Sequence, residues 1–197
     1  MSFSFAHVTG TTRLDDHLLR VHFEVPDLRR LSLPGLPDEA VGIYFPGIGE
    51  NAPPAMESRD GVWGYHNGPA PEARNYSIRH VDHAAGTIVV DFVVHSHGPA
   101  TLWAQQAAPG QSVALSHARG WYRPPADAAW LLLVADLAGL PAAARILDGH
   151  RTTSGPPVTL IAEVIDDDLS YLRDLDGVTV IPLVGSGNGY GPSRLAE

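Results

Sequence analysis

Up to about residue 125, apolar and polar positions alternate in short segments. Ser4 to Val8, Leu18 to Val25 (LLRVHFEV), Ala40 to Phe45 (AVGIYF), Ala73 to Arg79 (ARNYSIR), Thr87 to His95 (TIVVDFVVH) and Ser112 to Ser116 carry β-branched or aromatic residues at a partial two-residue period. Six short strands separated by turn residues predict a closed antiparallel barrel, six-stranded with Greek-key order. The stretch from Pro46 to Pro71 is rich in Gly, Pro and Asn and reads as one long loop, the kind that often carries function.

The pattern then changes. Trp130 to Ala135 (WLLLVA) is an uninterrupted apolar run, expected of a strand buried on both faces. Pro141 to Leu147 predicts a short Ala-rich helix with Pro at its start. Pro157 to Ile165 and Val178 to Val184 predict further strands. Asp166 to Asp168 predict the cap and acidic first turn of a helix reaching Leu172. The order strand, helix, strand, helix, strand is half of a doubly wound parallel sheet, a partial Rossmann-like α/β domain. The expected domains are therefore 1–125 and 126–197. Pro192 to Glu197 reads as the opening of a helix with Ser193 as its cap. The expectation there is either a cut chain or a partner covering the sheet edge.

Composition narrows the chemistry. The chain has 197 residues, 44% hydrophobic and 18% charged, which argues for a folded core rather than disorder. Its net charge of -9 argues against a general nucleic-acid surface. All 13 basic residues are Arg, so Schiff-base and P-loop lysine chemistry are excluded. With no Cys, thiolate metal sites, Fe–S clusters and Cys nucleophiles are excluded too. The first residues carry no basic-then-apolar leader, and the longest apolar run, Ala128 to Ala135, is too short to cross a bilayer. The expectation is a soluble, cytoplasmic protein.

Alternation puts Arg74, Tyr76 and Ile78 on one face of their strand and Ser77 and Arg79 on the other. Arg can hold a phosphate, Tyr can pack on a ring and a hydroxyl can bond a ring nitrogen, a set that suits a flavin nucleotide. Alone, the segment fits an ordinary barrel strand better. Next, a strand ends near His95, a Gly98-Pro99 turn follows, and a helix begins near Ala100. The free N–H groups of such a helix start form an anion site.

Taken in order, Arg74-x-Tyr76-Ser77, Asp91-x-x-x-His95, Gly98-Pro99-Ala100-Thr101-x-Trp103-Ala104 and Pro109-Gly110-x-x-Val113 resemble the siderophore-interacting protein family. These are FAD-dependent ferric-siderophore reductases on the ferredoxin–NADP reductase scaffold. The resemblance continues through Trp130 to Asp136 and Leu140-Pro141-Ala142, which look like the start of the family's nicotinamide domain. It implies that Arg74 binds FAD phosphate, Tyr76 packs on the flavin and Ser77 bonds near its N5. His95 would line the flavin or ribityl chain, and Gly98, Pro99, Ala100 and Thr101 would sit at the pyrophosphate. Trp103 is expected to pack the helix. Electrons would come from NAD(P)H, and the partner would be a ferric siderophore.

The chain departs from the family in two places. Asp136-Leu137-Ala138-Gly139 lacks the family's Thr before Leu-Pro-Ala. The family also continues past the position of Glu197 with a strand, an acidic motif and a helix, so this chain is expected to bind FAD but to use NAD(P)H poorly. Arg59, Arg79, Arg119 and Arg123 are candidates for a basic mouth that attracts an anionic chelate. Gly185-Ser186-Gly187-Asn188-Gly189 is either a phosphate cradle or a flexible loop. His95 and His97 could turn toward a metal, but no carboxylate stands at ligand spacing, so no metal is expected. Asp166 to Asp168 read as a helix cap rather than a metal site. Ser77 and Ser116 lack a nucleophile-elbow context. The alternatives are a general flavin reductase or electron-transfer flavoprotein, a non-enzymatic FAD or siderophore binder, or a plain interaction domain.

Overall fold

A computed structural model describes residues 3–47, 49–59, 62–65, 73–95, 98–151, 155–166, 169–172, 177–188 and 191–195. His97, Asp167, Asp168 and Gly189, named above, lie outside these. The chain divides into two compact units, Met1–Gly120 and Trp121–Glu197.

The first unit contains β1 (Ser4–Arg13), β2 (Leu18–Glu24), β3 (Ala40–Tyr44), β4 (Met56–Arg59), β5 (Val62–Tyr65), β6 (Ala73–Asp82), β7 (Thr87–Val93), α1 (Pro99–Gln106) and β8 (Ser112–Leu115). Six of these strands close an antiparallel barrel in the order β1-β2-β7-β6-β3-β8. The expected Greek-key barrel is present, built from the six expected segments. Its inside follows from alternation. Leu19, Val21 and Phe23 of β2 and Ile88, Val90 and Phe92 of β7 point inward and are buried, while Arg20 faces outward. Val41, Ile43, Ile78, Val113 and Leu115 complete the filling, each such side chain contributing about 1.5–3 kcal/mol of burial. Trp103, Ala100 and Ala104 of α1 join this core. The Trp103 ring lies parallel to that of Phe23 at 6.2 Å.

Several boundaries differ from those expected. β1 runs on to Arg13 through an irregularity between Val8 and Gly10, because β2 supplies partners as far as Leu19. β6 continues to Asp82, and β7 stops at Val93 rather than His95. The supposed long loop contains a hairpin, β4 with β5. Its sequence signal is the Asp60-Gly61 dipeptide between the two strands, a strong hairpin marker.

In the second unit β9 (Leu131–Ala135), α2 (Leu140–Arg151), β10 (Val158–Val164) and β11 (Val178–Val184) form a parallel sheet in the order β11-β10-β9. This is the expected partial Rossmann-like arrangement. Leu140, Ala143, Ala144 and Leu147 of α2 are buried with Val158, Leu160 and Ala162. Residues paired across a parallel ladder share a face, so Val134, Ile161 and Ile181 lie on the opposite one. There Leu132 is 47% and Val134 50% exposed, which corrects the expectation of a strand buried on both faces. The expected helix reaching Leu172 is a short 3-10 turn over Ser170–Leu172. The described residues after Pro192 form only a turn at Leu195, not a helix, because the Arg194 N–H is drawn to Glu163 Oε1 at 2.7 Å. No described helix is long and apolar enough to cross a membrane.

One buried charge pair links neighbouring barrel strands. Arg20 of β2 donates to both carboxylate oxygens of Asp91, at 2.7 and 2.8 Å, directly across the ladder. The Asp91 side chain is fully buried, whereas that of Arg20 is 28% exposed. Removing the acid strands a partly desolvated guanidinium. Asp91→Ala should therefore cost about 1.5–3 kcal/mol in urea unfolding. A loss within about 0.5 kcal/mol, the usual range of surface changes, would show that water takes over the carboxylate's role.

Candidate functional site

The first part of β6 and the last part of β7 lie at the same end of the barrel, and aromatic packing joins them. Tyr76 is half-buried, with its ring centroid 4.4 Å from that of Phe92 and 6.4 Å from that of Phe45. Phe45 and Phe92 in turn touch Trp103, at 5.2 and 5.8 Å. The two sequence segments singled out for chemistry therefore meet through four rings. Burial pushes the Tyr76 phenol up to about 12, and the nearby Arg74 cation opposes this only in part.

Arg74 is exposed beside Tyr76, and its Nη1 donates to the Ala73 carbonyl at 2.8 Å. Ser77 is half-buried and pairs with Ala40 of β3. Ala40 also exchanges both backbone bonds with Arg119, at 2.7 and 2.9 Å. Ser77, Ala40 and Arg119 thus stand in one row across the sheet. The Arg119 guanidinium donates to Asn75 Oδ1 at 3.3 Å. Of the four arginines expected at a basic mouth, Arg79 and Arg119 are therefore placed on or beside β6. Arg59 lies on β4, and Arg123 belongs to the second unit.

The corner between β7 and α1 is built by Thr101. Its hydroxyl accepts the His95 N–H at 3.1 Å and donates to the Val93 carbonyl at 3.1 Å. Thr101 is only 2% exposed, so its side chain fastens the corner rather than facing outward. Gly98 precedes the helix with φ of 107°, which L side chains rarely adopt, and His95 Cε1 stands 3.3 Å from where a Cβ would be. Pro99 follows at the first helical position, and no side chain caps the helix. The first-turn N–H groups of Ala100 and Thr101 have no partner within the helix, as at any helix start.

A cavity of about 480 Å³ opens beside this helix start. Phe45, Gly47 and Asn51 line one side, and Pro99, Leu102 and Gln106 the other. Trp103 also lines it, and its Nε1 is buried with no hydrogen-bond partner among the described residues. Sequence reasoning missed Asn51 and Gln106; the only signal was the Gly- and Pro-rich stretch after Phe45. A larger hollow of about 880 Å³ lies at the opposite barrel end, around Asp27 and His83, away from every expected site residue.

In the second unit, the carboxyl ends of the strands are closed by the chain's own groups. Asp136 Oδ1 accepts the Gly139 N–H at 2.8 Å, capping α2. Asn188 Oδ1 accepts the Leu137 N–H at 2.9 Å. Glu163, at the end of β10, is 2% exposed and takes the Ser186 hydroxyl and the Arg194 N–H. The Ser186 hydroxyl, with the Arg194 N–H and weaker bonds from Ser193 and Leu195, holds its carboxyl below the usual range against the opposing effect of burial. Among the described residues, no cluster of three His, Asp or Glu side chains could hold a metal.

A Greek-key barrel ahead of a parallel α/β sheet defines a protein of ferredoxin-reductase-like fold. Residues 7–122 match the siderophore-interacting FAD-binding domain, and the chain belongs to that family. Over 146 residues it is 32% identical to an NADPH-dependent ferric-chelate reductase of Escherichia coli, covering 73% of this chain and 56% of that protein. Over 164 residues it is 29% identical to a ferric vibriobactin reductase of Vibrio cholerae, covering 79% of this chain and 58% of that protein. The chain thus spans less than three fifths of the length of these two relatives. The crystal structure of a siderophore utilization protein from T. fusca superposes with a TM-score of 0.76 at 27% identity, covering 98% of this chain and 72% of that one.

Two measurements check this geometry. Among the six tyrosines, Tyr76 should remain a phenol at about pH 11 in an ultraviolet titration, and Arg74→Ala should move it higher still, since the lost cation was lowering it. Thr101→Val leaves the His95 N–H and the Val93 carbonyl without their partner. It should cost about 1–3 kcal/mol in thermal or urea unfolding, while Thr101→Ser restores most of the loss.

Proposed function

We propose that the chain is a reductase whose barrel, residues 1–125, holds FAD, and whose second part, 126–197, contributes to a nicotinamide-dinucleotide site. The observation that carries this reading is the ring packing that joins the Arg74–Ser77 strand through β7 to α1, Tyr76 on Phe92 at 4.4 Å and Phe92 on Trp103 at 5.8 Å. The residues present fit FAD. An uncapped helix start offers N–H groups to a pyrophosphate, Arg74 supplies a cation, and the neighbouring cavity carries amide side chains and an orphaned indole N–H.

Each side chain then has a defined task. Arg74 holds phosphate oxygen. Gly98 and Pro99 let the ligand approach the backbone, while the Ala100 and Thr101 N–H groups bond the pyrophosphate. Thr101 fixes that corner through its hydroxyl. Tyr76 packs against the ring system as a neutral phenol, Ser77 offers a hydroxyl near N5, and His95 lines the chain between ring and phosphates. The cavity beside α1 suits the nucleoside half. When bound, FAD supplies the conversion between two-electron and one-electron transfer. Oxidation of one NAD(P)H to NAD(P)⁺ and a proton releases two electrons, enough to reduce two Fe(III) chelates to Fe(II). Hard oxygen donors hold Fe(II) less tightly than Fe(III), so iron is released. Arg79 and Arg119, on and beside β6, are the barrel cations for attracting an anionic ferric siderophore, with Arg59 of β4 and, in the second unit, Arg123 as further candidates. An NAD(P)H donor fits a cytoplasmic setting.

Purified protein should show the visible bands of bound flavin, and a colourless protein that takes up no FAD overturns the reading. Arg74→Ala should weaken FAD roughly 10- to 150-fold by titration, the worth of one charge-assisted bond of about 1.5–3 kcal/mol. Comparing ferric-siderophore with free-flavin reduction under anaerobic conditions separates this function from a general flavin reductase.

A further inference from the structure

The cavity beside α1 is lined by two glutamines whose amides are fixed in opposite senses. Gln106 is the last residue of α1, and its Nε2 donates to the Leu102 carbonyl, one turn back, at 3.1 Å. A carbonyl only accepts, so the amide end turned to the helix is the NH₂ and the end left over is the acceptor Oε1. Gln111 stands just before β8, and its Oε1 accepts the Ala108 N–H at 3.1 Å. A backbone N–H only donates, so here the end left over is the donor Nε2. Both side chains line the same cavity of about 480 Å³. It therefore carries one oriented acceptor and one oriented donor.

The rest of the lining says what kind of group these two would meet. Phe45, Pro99, Leu102 and Trp103 give the cavity apolar walls. Among the described lining residues there is no Arg or His, and the one acid, Glu50, has its Oε2 on the Gly47 N–H at 3.2 Å. A mostly apolar room with a few placed polar groups and no cation suits a flat, uncharged heterocycle rather than a phosphate. Adenine carries an amine donor beside ring-nitrogen acceptors, the complement of Gln106 Oε1 and Gln111 Nε2. Hypoxanthine has an oxygen in place of that amine, which would set lone pair against lone pair at Gln106 Oε1.

We propose that Gln106 and Gln111 read the base of the bound dinucleotide, selecting adenine over hypoxanthine through the opposed orientation of their amides. This rests on the reading of the barrel as the holder of FAD, and it adds the residues that choose the base. Their role is specificity and not electron transfer.

The test is titration of the full chain, freed of flavin, with FAD, with flavin hypoxanthine dinucleotide and with FMN, followed by flavin fluorescence. The parent chain should bind FAD about tenfold or more tightly than the hypoxanthine analogue. Gln106→Met keeps the length of the side chain without the acceptor. Gln111→Glu keeps an oxygen for the Ala108 N–H without the donor. Each should bring the two dinucleotides within about threefold of one another. FMN, which lacks the base, should bind parent and variants alike. Circular dichroism reports whether each variant is folded, and if one is not, the other decides. A parent that binds the two dinucleotides equally overturns the proposal, and so do folded variants that keep the parent's preference. Equal affinity of the parent for FAD and FMN also overturns it and takes the nucleoside half out of the cavity, while the barrel remains a flavin site. A chain that takes up none of the three flavins overturns the proposed function itself, and this inference with it.

Discussion

The barrel's working end depends on one knot of aromatic rings. Phe45, Tyr76, Phe92 and Trp103 come from β6, β7, α1 and the residue just after β3. Trp103 reaches Phe23, Phe45 and Phe92, so α1 is anchored by its buried face. Each edge or tilted ring pair adds about 0.5–1.5 kcal/mol beyond area burial. The knot also sets the chemistry of its polar member. The desolvation that packs Tyr76 against Phe92 raises the pH at which its hydroxyl ionises to about 12.

Among the described residues, the starts of α1 and α2 are finished in opposite ways. The start of α1 has no acidic residue in its first turn and no side-chain cap. At α2, Asp136 places a carboxylate on the Gly139 N–H. A helix N-terminus carries about half a positive charge, which attracts an anion from outside only if the chain has not supplied one. In a protein of net charge -9, acids are plentiful, yet no side chain caps the start of α1.

How legible this was depends on the range of the interactions involved. The six barrel strands could be read because alternation is local: Leu19, Val21 and Phe23 show their inward face in the sequence itself. The Arg74–Ser77 and Gly98–Thr101 segments stand out in sequence only through their order along the chain, which resembles the family's. The extension of β1 to Arg13 could not be read, since its polar Thr residues are strand only because β2 pairs with them. Thr101 was placed at the ligand by type, yet its hydroxyl is consumed by Val93 and His95, two contacts that only the corner's geometry reveals. On β9, an apolar run was taken as burial on both faces. Val134, half exposed, shows that a run of Leu and Val reports strand propensity and not the number of layers around it.

Glu163 shows where reading from sequence stops. Nothing near it in the chain announces a partner; its partners lie 23 and 31 residues away. The Gly185–Gly189 segment is legible in sequence only as a phosphate cradle or a flexible loop, because its glycines are written locally. Which group it closes on is a question of long-range register: Glu163 faces Leu183 across the ladder, and the turn after β11 brings Ser186 back over it. A turn and the group it closes on can therefore be encoded separately.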